Sequence, residues 1–510
     1  MAKGKTYKKL HRWPGLILSF ILLYYGVTGI FMNHRAFFSG IDVPRTVLPE
    51  VYSYEDWSNS ALKGNINVSP DSILIYGNIG VWATDSSFSE YRPVDKGLPG
   101  GADHRKVFDL HRDHEGHLYA ATQFGLFGFD ETEQTWKRFP LDVEISRFVA
   151  LETVGDTLYA LNRSYMFKGM TDGVDTHFKK IELEAPENHE QEVTLFETLW
   201  QIHSGEIFGL PGQLFVDFLG LVTIFLSVTG IIYFFFPDWI KSRRRKLRQA
   251  GKLIRINRWS LKWHNKAGAW LWIFLLILFF TGIFLRPPLL IAIANSKMAP
   301  IKYSHLDQPN PWYDKLRDIR FDEEHDQFFL STSEGMFTLG HKSLKPTRCE
   351  IQPPVSVMGI NVFEPYKEGA WLVGSFSGLF LWHPSNPQIL DYARGKVYQG
   401  APSGRPVGQF KTTGLMTTPD GSPYMVDYDQ GVLPLYHDKP FPDAPEEVVS
   451  QTRMSLWNLS LEIHTGRFFQ VIMGDFYILI VPLVGLAAIM VVISGYLLWR
   501  RRYKKSVKQC

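Results

Sequence analysis

The stretch that decides the fold is LKWHNKAGAWLWIFLLILFFTGIFLRP, residues 261–287, because residues 10–33, LHRWPGLILSFILLYYGVTGIFMN, carry the same arrangement. Each copy reads His, three residues, Gly, twelve residues, then Thr-Gly-Ile-Phe, so His11 falls on His264 and Gly15 on Gly268. Thr28-Gly29 likewise falls on Thr281-Gly282. A second pair of segments repeats as well: WQIHSGEIF around His203 and LEIHTGRFF around His464, each leading into an apolar run. The chain therefore reads as a tandem duplication with one histidine beside each of four apolar segments.

Those segments, at about 14–33, 214–236, 268–285 and 476–499, are nearly free of charge. Each is long enough to cross a hydrocarbon core of ~30 Å at ~1.5 Å per helical residue. All four are expected to be transmembrane helices. A signal peptide is the alternative for the first, but its run is too long and no small-residue cleavage site follows it. Charge sets the orientation. Segments 1–13, 237–267 and 500–510 hold 22 of the 54 Lys and Arg residues with a single acid, Asp238, which places them on the cytoplasmic side. The remainder, with 32 bases against 50 acids, is acidic and lies outside. Cys349 and Cys510 fall on opposite sides of the membrane, so no disulfide framework and no thiolate metal site is available.

The two long outer loops share a rhythm of short strands, turns and Gly-aromatic pairs. It runs through DSILIYGNIGVWATDSSFSEYRPV (71–94), GHLYAATQFGLFGFDETEQTWKRF (116–139) and GDTLYALNRSYMFKGMTDGVDTHFKKI (155–181), then through three further units at 325–348, 368–390 and 421–438. Gly80 to Gly125 spans 45 residues and Gly335 to Gly378 spans 43, a period that fits propeller blades. Leu118, Ala120 and Thr122 alternating with Tyr119 and Ala121 suit a strand covered on both faces. Patterns such as GHLYAATQFGLF resemble propeller repeats of outer domains in some bacterial sensors. One propeller of about six blades built from both loops is expected, with two separate three-unit sheets as the alternative. Residues 35–70 read as an irregular connector, including the Asn67 sequon.

A single His at a membrane boundary is commonly just an amphipathic residue. Four at matched positions point further. His11 and His264 precede their helices on the inner side, and His203 and His464 meet at the outer side. Two facing imidazoles from different helices of a four-helix bundle suit axial ligation of haem iron. Gly15, Gly26, Gly29, Gly205, Gly268, Gly282 and Gly466 could admit a flat ring or simply let helices pack closely. No Cys-x-x-Cys-His occurs, so any haem is of b type. His34, at the outer end of the first helix, either replaces or supplements an outer ligand or anchors the helix at the interface. His111, His114 and His117, in HRDHEGH, read as a solvated blade turn, with an outer metal site as the alternative. Trp13, Trp263, Trp270, Trp272 and Trp499 read as membrane-belt anchors. No Walker loop, Gly-x-Ser-x-Gly elbow, His-Glu-x-x-His or Gly-x-Gly-x-x-Gly is present, so reducing equivalents must come from a separate donor.

LHRWPG followed by Thr-Gly, and IHTGRFF leading into the last helix and its Arg-rich end, resemble the PepSY-associated transmembrane family, which includes haem-containing siderophore reductases of the bacterial inner membrane. The resemblance implies a bundle carrying two b-type haems on His11, His203, His264 and His464. It further implies electrons moving outward to a ferric siderophore or other ferric chelate in the periplasm. The outer loops depart from the family pattern, because they read as propeller units rather than a PepSY domain.

The expected order is a first helix at 1–34 with a cytoplasmic N-terminus, the first half of the periplasmic β domain at 35–200 and a second helix at 201–237. A basic cytoplasmic loop follows at 238–262, a third helix at 263–287 and the second half of the β domain at 288–455. A fourth helix with a basic cytoplasmic C-terminus occupies 456–510. Two other classes of function compete with the reductase. One is a non-enzymatic sensor or scaffold whose propeller binds a periplasmic ligand or protein. The other is a chelate transporter, against which stands the lack of mid-membrane charge apart from the borderline Asp217 and Asp475.

Overall fold

The computed structural model describes residues 2–144, 146–356, 358–400 and 407–507, with side chains described from Thr6 to Arg501. Cys510 lies outside the described residues. The chain divides into two compact units, one made of 1–38, 191–308 and 456–510, the other of 39–190 and 309–455.

The first unit is built on four long helices: α1 (Ala2–Asn33), α2 (Gly209–Arg245), α3 (Gly251–Ile283) and α4 (Ile480–Val507). All four are apolar and long enough to cross a membrane, and the chain is a multi-pass membrane protein. Large apolar side chains such as Ile17, Phe20, Leu221 and Leu483 are exposed on them, as a lipid-facing surface requires. Contacts run from α1 to α2, α2 to α3, α3 to α4 and α4 back to α1, so each helix has two neighbours. Small residues set two of these approaches. A Cβ on Gly26 would lie 3.1 Å from the Gly220 carbonyl oxygen, and one on Gly485 would lie 2.2 Å from Ile283 Cγ2.

Several boundaries differ from the sequence reading. The segment 238–262, expected as a loop, is helical except for 246–250, because its Lys, Arg and Leu residues favour helix and simply continue α2 and α3. His203 and His464 do not begin long helices. Each sits at the end of a short one, Leu195–Ser204 or Leu456–His464, which is stopped by a glycine in the left-handed region, Gly205 (φ 82) or Gly466 (φ 80). A 3-10 turn then leads toward α2 or α4. Residues 191–200 and 288–308, expected in the β domain, belong to the helical unit, where Val193–Thr194 pairs with Lys297–Met298.

The second unit contains six antiparallel meander sheets, starting at Gly64–Ser69, Val107–Arg112, Phe148–Val154, Leu316–Asp322, Ile360–Pro365 and Thr412–Thr417. Each begins one strand before the unit read from the sequence, so Gly64–Ser69 belongs to a sheet rather than to an irregular connector. Ile66 and Val68 alternate with Asn65 and Asn67 as in a half-buried strand, but asparagine is depleted from strands, which weakens the signal. Leu118–Thr122 is buried along its whole length, in keeping with a strand covered on both faces.

Buried apolar clusters join each sheet to the next. Leu74 and Ala83 meet Val107 and Ala120; Tyr119 and Leu126 meet Phe148 and Ala160; Phe329 and Met336 meet Phe363 and Trp382. Val362 and Leu379 meet Met425 in the same way. Two clusters cross between the halves of the chain: Leu161 and Met166 with Leu316 and Phe337, and Ile73 and Trp82 with Met416 and Tyr424. At the latter junction Leu415 N donates to Lys63 O, and Asn65 exchanges two hydrogen bonds with the Thr417 backbone.

A buried arginine, Arg320, draws together carboxylates of neighbouring sheets. It lies 3.1 Å from Asp318, 3.3 Å from Asp109 and 3.9 Å from Glu152 and Glu364. It also donates to the carbonyls of Leu151 and Phe363.

Candidate functional site

The duplicated histidines converge in two pairs. The ring centres of His11 and His264 are 6.1 Å apart, with planes inclined by 74°. Those of His203 and His464 are 6.3 Å apart, inclined by 65°.

Each ring is backed by a Thr-Gly or Ser-Gly pair on a long helix. His464 Nδ1 lies 3.0 Å from Thr28 Oγ1, and His264 Nδ1 lies 3.0 Å from Thr229 Oγ1. His203 Nδ1 is 3.2 Å from Thr281 Oγ1 and 2.9 Å from Leu278 O, while His11 Nδ1 is 2.9 Å from Val491 O. The hydroxyl protons are already committed to the preceding helical turn: Thr28 donates to Tyr24 O, Thr229 to Phe225 O, Thr281 to Ile277 O and Ser494 to Val491 O. The threonine oxygens and the carbonyls can therefore only accept, so each imidazole donates from Nδ1–H. The remaining nitrogen, Nε2, keeps its lone pair in all four rings and has no hydrogen-bond partner among the described residues.

The glycine beside each hydroxyl makes room for the ring it faces. A Cβ on Gly282 would stand 2.8 Å from His203 Cε1, one on Gly495 2.8 Å from His11 Cε1, one on Gly29 3.3 Å from His464 Cε1 and one on Gly230 3.6 Å from His264 Cε1. The sequence marks Thr28-Gly29 and Thr281-Gly282 through the duplication, with Gly29 and Gly282 among the glycines that could admit a flat ring, whereas Thr229-Gly230 and Ser494-Gly495 go unmarked. The detectable signal is one hydroxyl-Gly dipeptide in each apolar run.

The inner pair borders a cavity of about 260 Å³ lined by all four long helices. Its walls include Gly15, Gly230, Gly268 and Gly495, together with Leu226 and Val491. Lys8, Arg12 and Asn265 also line it.

These features fit haem. An iron between two imidazole nitrogens at ~2.0 Å bonds, with ~1.1 Å from each nitrogen to its ring centre, would set the centres about 6.2 Å apart. Both pairs meet that spacing. The free Nε2 lone pairs, the Nδ1 anchors and the glycine clearances fit the group as well.

Other expected site residues are placed elsewhere. His34 Nε2 lies 2.7 Å from Asp217, which also accepts from Asn33 at 2.9 Å, so His34 joins neither histidine pair. Of the other glycines singled out in the sequence, Gly26 serves helix packing, and Gly205 and Gly466 break helices. His111 bonds Thr153, His114 pairs with Asp156, and His117 pairs with Asp113, whose carboxylate also caps the turn by accepting from His117 N. No group of three or more His, Cys, Asp or Glu side chains suited to a metal ion occurs among the described residues. Trp13, Trp263 and Trp270 are exposed on the helices, whereas Trp272 stacks on Tyr496 at 4.3 Å. Cys349 is a free thiol in the β unit, and burial pushes its pKa up to about 12.

The model of the PepSY-associated TM region matches residues 2–236 and again residues 238–502. The chain belongs to that family. Its two matches divide the chain where the duplication does. No curated protein matches it. Among solved structures, the extracellular domain of the hybrid two-component system BT4673 of B. thetaiotaomicron is 9% identical with a TM-score of 0.37, over 75% of this chain and 38% of that one. PorZ, a surface component of the type-IX secretion system of Porphyromonas gingivalis, is 11% identical with a TM-score of 0.33, over 73% of this chain and 38% of its own. The chain thus spans well under half the length of either.

Proposed function

We propose that this PepSY-associated TM protein is a b-type haem protein of the bacterial inner membrane that passes electrons from an inner donor to a periplasmic ferric siderophore or other ferric chelate. The observation that carries the reading is the convergence of His11 with His264 and of His203 with His464, at 6.1 and 6.3 Å, each ring with Nδ1 bound and Nε2 free. Bound between such a pair, haem supplies a reversible one-electron iron couple.

The chain's own contribution is positional. Leu278 O and Val491 O, with the hydroxyls of Thr28, Thr229 and Thr281, hold the imidazoles in one tautomer and one orientation. Apolar side chains such as Leu226 and Val491 make up most of the lining of the inner cavity. Placing one pair near each end of the bundle divides the membrane crossing into shorter steps. At the outer face no acid or base is needed, because ferrous iron is held less tightly than ferric iron by hard oxygen donors and reduction itself loosens the substrate.

The β unit reads as a six-bladed propeller assembled from both outer loops. Supporting this are six meander sheets, each sharing a buried cluster with the next, and the sixth sharing one with the first. The basic segments at 1–13, 237–267 and 500–510 support cytoplasmic termini and a periplasmic β unit.

The test is the absorbance spectrum and haem-to-protein ratio of the purified full chain and of its four His→Ala variants. Two haems in the native chain, with each variant losing one, are expected. Absence of a Soret band, or full retention in all four variants, would end the reading in favour of a sensor or scaffold.

A further inference from the structure

Beside the outer histidine pair, the bundle buries hydrogen-bonding groups that have no partner among the described residues. Tyr25 packs edge-on to His464, ring centres 5.0 Å apart, and its hydroxyl is buried without a partner. Arg467, in the turn after His464, pairs with Glu462 through Nη2, yet its Nε is buried and unpartnered. Arg286, just beyond the end of α3, is partly buried, and its guanidinium makes no hydrogen bond or ion pair among the described residues. It lies within electrostatic reach of Arg467, Tyr477, Glu462 and Tyr25.

Two guanidiniums thus face one carboxylate, Glu462, and leave one positive charge uncompensated. Buried donors left unmade are costly, and paired guanidiniums repel unless an anion lies between them. A carboxylate answers every demand: its two oxygens suit the planar fork of an arginine, and a lone pair remains for the tyrosine hydroxyl.

We infer that Tyr25, Arg286 and Arg467 form a binding site for a carboxylate-bearing ligand beside the His203–His464 pair. The carboxylate belongs either to a porphyrin held by that pair, in which case the inference rests on the proposed function, or to a carboxylate chelate of a trivalent metal arriving from outside, in which case it does not.

The experiment uses the full chain in detergent, in native form and as Arg286→Gln, Arg467→Gln and Tyr25→Phe. Haemin, haemin dimethyl ester and gallium(III) citrate, a redox-inert stand-in for a ferric chelate, are titrated separately. Haemin and its ester are followed by the Soret band of apoprotein, and gallium citrate by calorimetry. Each arginine variant is expected to weaken one free-acid ligand by about 10-fold or more, with a smaller loss for Tyr25→Phe. Selective weakening of haemin, with the ester unaffected, assigns the site to porphyrin carboxylates. Weakening of gallium citrate alone assigns it to the chelate. Tyr25→Phe, which removes only one oxygen, keeps the test available if an arginine variant fails to fold. Unchanged affinity for both free acids in all three variants would overturn the site. Failure of the native chain to bind haemin would end the haem reading, while the citrate titration would still report on the site.

Discussion

A Cβ on Gly282 would stand 2.8 Å from Cε1 of His203, closer than side-chain carbons come to a ring without displacing it. The clearance at the other three hydroxyl-Gly pairs is graded, from 2.8 Å at Gly495 to 3.3 Å at Gly29 and 3.6 Å at Gly230. Alanine at Gly282 or Gly495 is therefore expected to strip the haem of its own pair, Gly29→Ala to lower occupancy in part, and Gly230→Ala to leave it intact. Haem content per chain by pyridine haemochrome reads this order. Equal retention across the series would separate the glycines from the site.

Thr28 and Thr229 each accept from a histidine Nδ1 at 3.0 Å, whereas the ring of His11 is held by the Val491 carbonyl. Thr28→Val and Thr229→Val keep the shape and remove the acceptor, so haem should bind up to about 10-fold more weakly at the matching pair. Ser494→Ala should have little effect, because the carbonyl remains. A larger loss in Ser494→Ala than in the threonine variants would contradict the assignment of anchors.

His34 spends its Nε2 on Asp217 at 2.7 Å, at the point where α1 meets α2. His34→Ala should leave haem content unchanged while lowering the melting temperature. Leaving the buried Asp217 with Asn33 as its side-chain partner costs about 1–3 kcal/mol. Loss of a haem from this variant would return His34 to the ligand set.

Burial raises the pKa of Glu152 from 4.5 to about 8 and that of Asp318 from 3.8 to about 6, against the opposing pull of Arg320. Both groups bind protons more tightly folded than unfolded. Their contribution to stability is greatest below the unfolded values and declines as pH rises, until it is spent near pH 8. The melting temperature of the β unit should fall between about pH 5 and 8, and Glu152→Gln should flatten the slope. A rise over that interval, or an unchanged slope in the variant, would show that the Arg320 cluster titrates differently.

The clusters joining Leu161 to Leu316 and Trp82 to Met416 draw on both outer loops. A fragment of residues 64–184 would expose both faces, at about 1.5–3 kcal/mol for each large apolar side chain uncovered. It should bind hydrophobic dyes and unfold without cooperativity. A sharp thermal transition of the fragment would instead favour two independent β halves.

The sequence alone determined what local pattern can carry: four apolar runs, the duplication, strand-turn repeats of blade length, and four histidines at matched positions. Apolar run length and strand alternation are properties of adjacent residues, and the duplication is read by comparing the chain with itself. Tertiary structure decided which residues meet. Nothing near His464 announces Thr28, which is 436 positions away, and nothing near Arg320 announces Asp109 on another sheet. Helix ends lie beyond the apolar runs where basic helix formers such as Lys241 and Arg255 extend a spanning helix, because charge marks the membrane boundary and not the end of the hydrogen-bond ladder. The partner of His34 was hidden for the same long-range reason. An imidazole at a helix end fits a ligand or an ion pair equally well until the fold brings Asp217 to it.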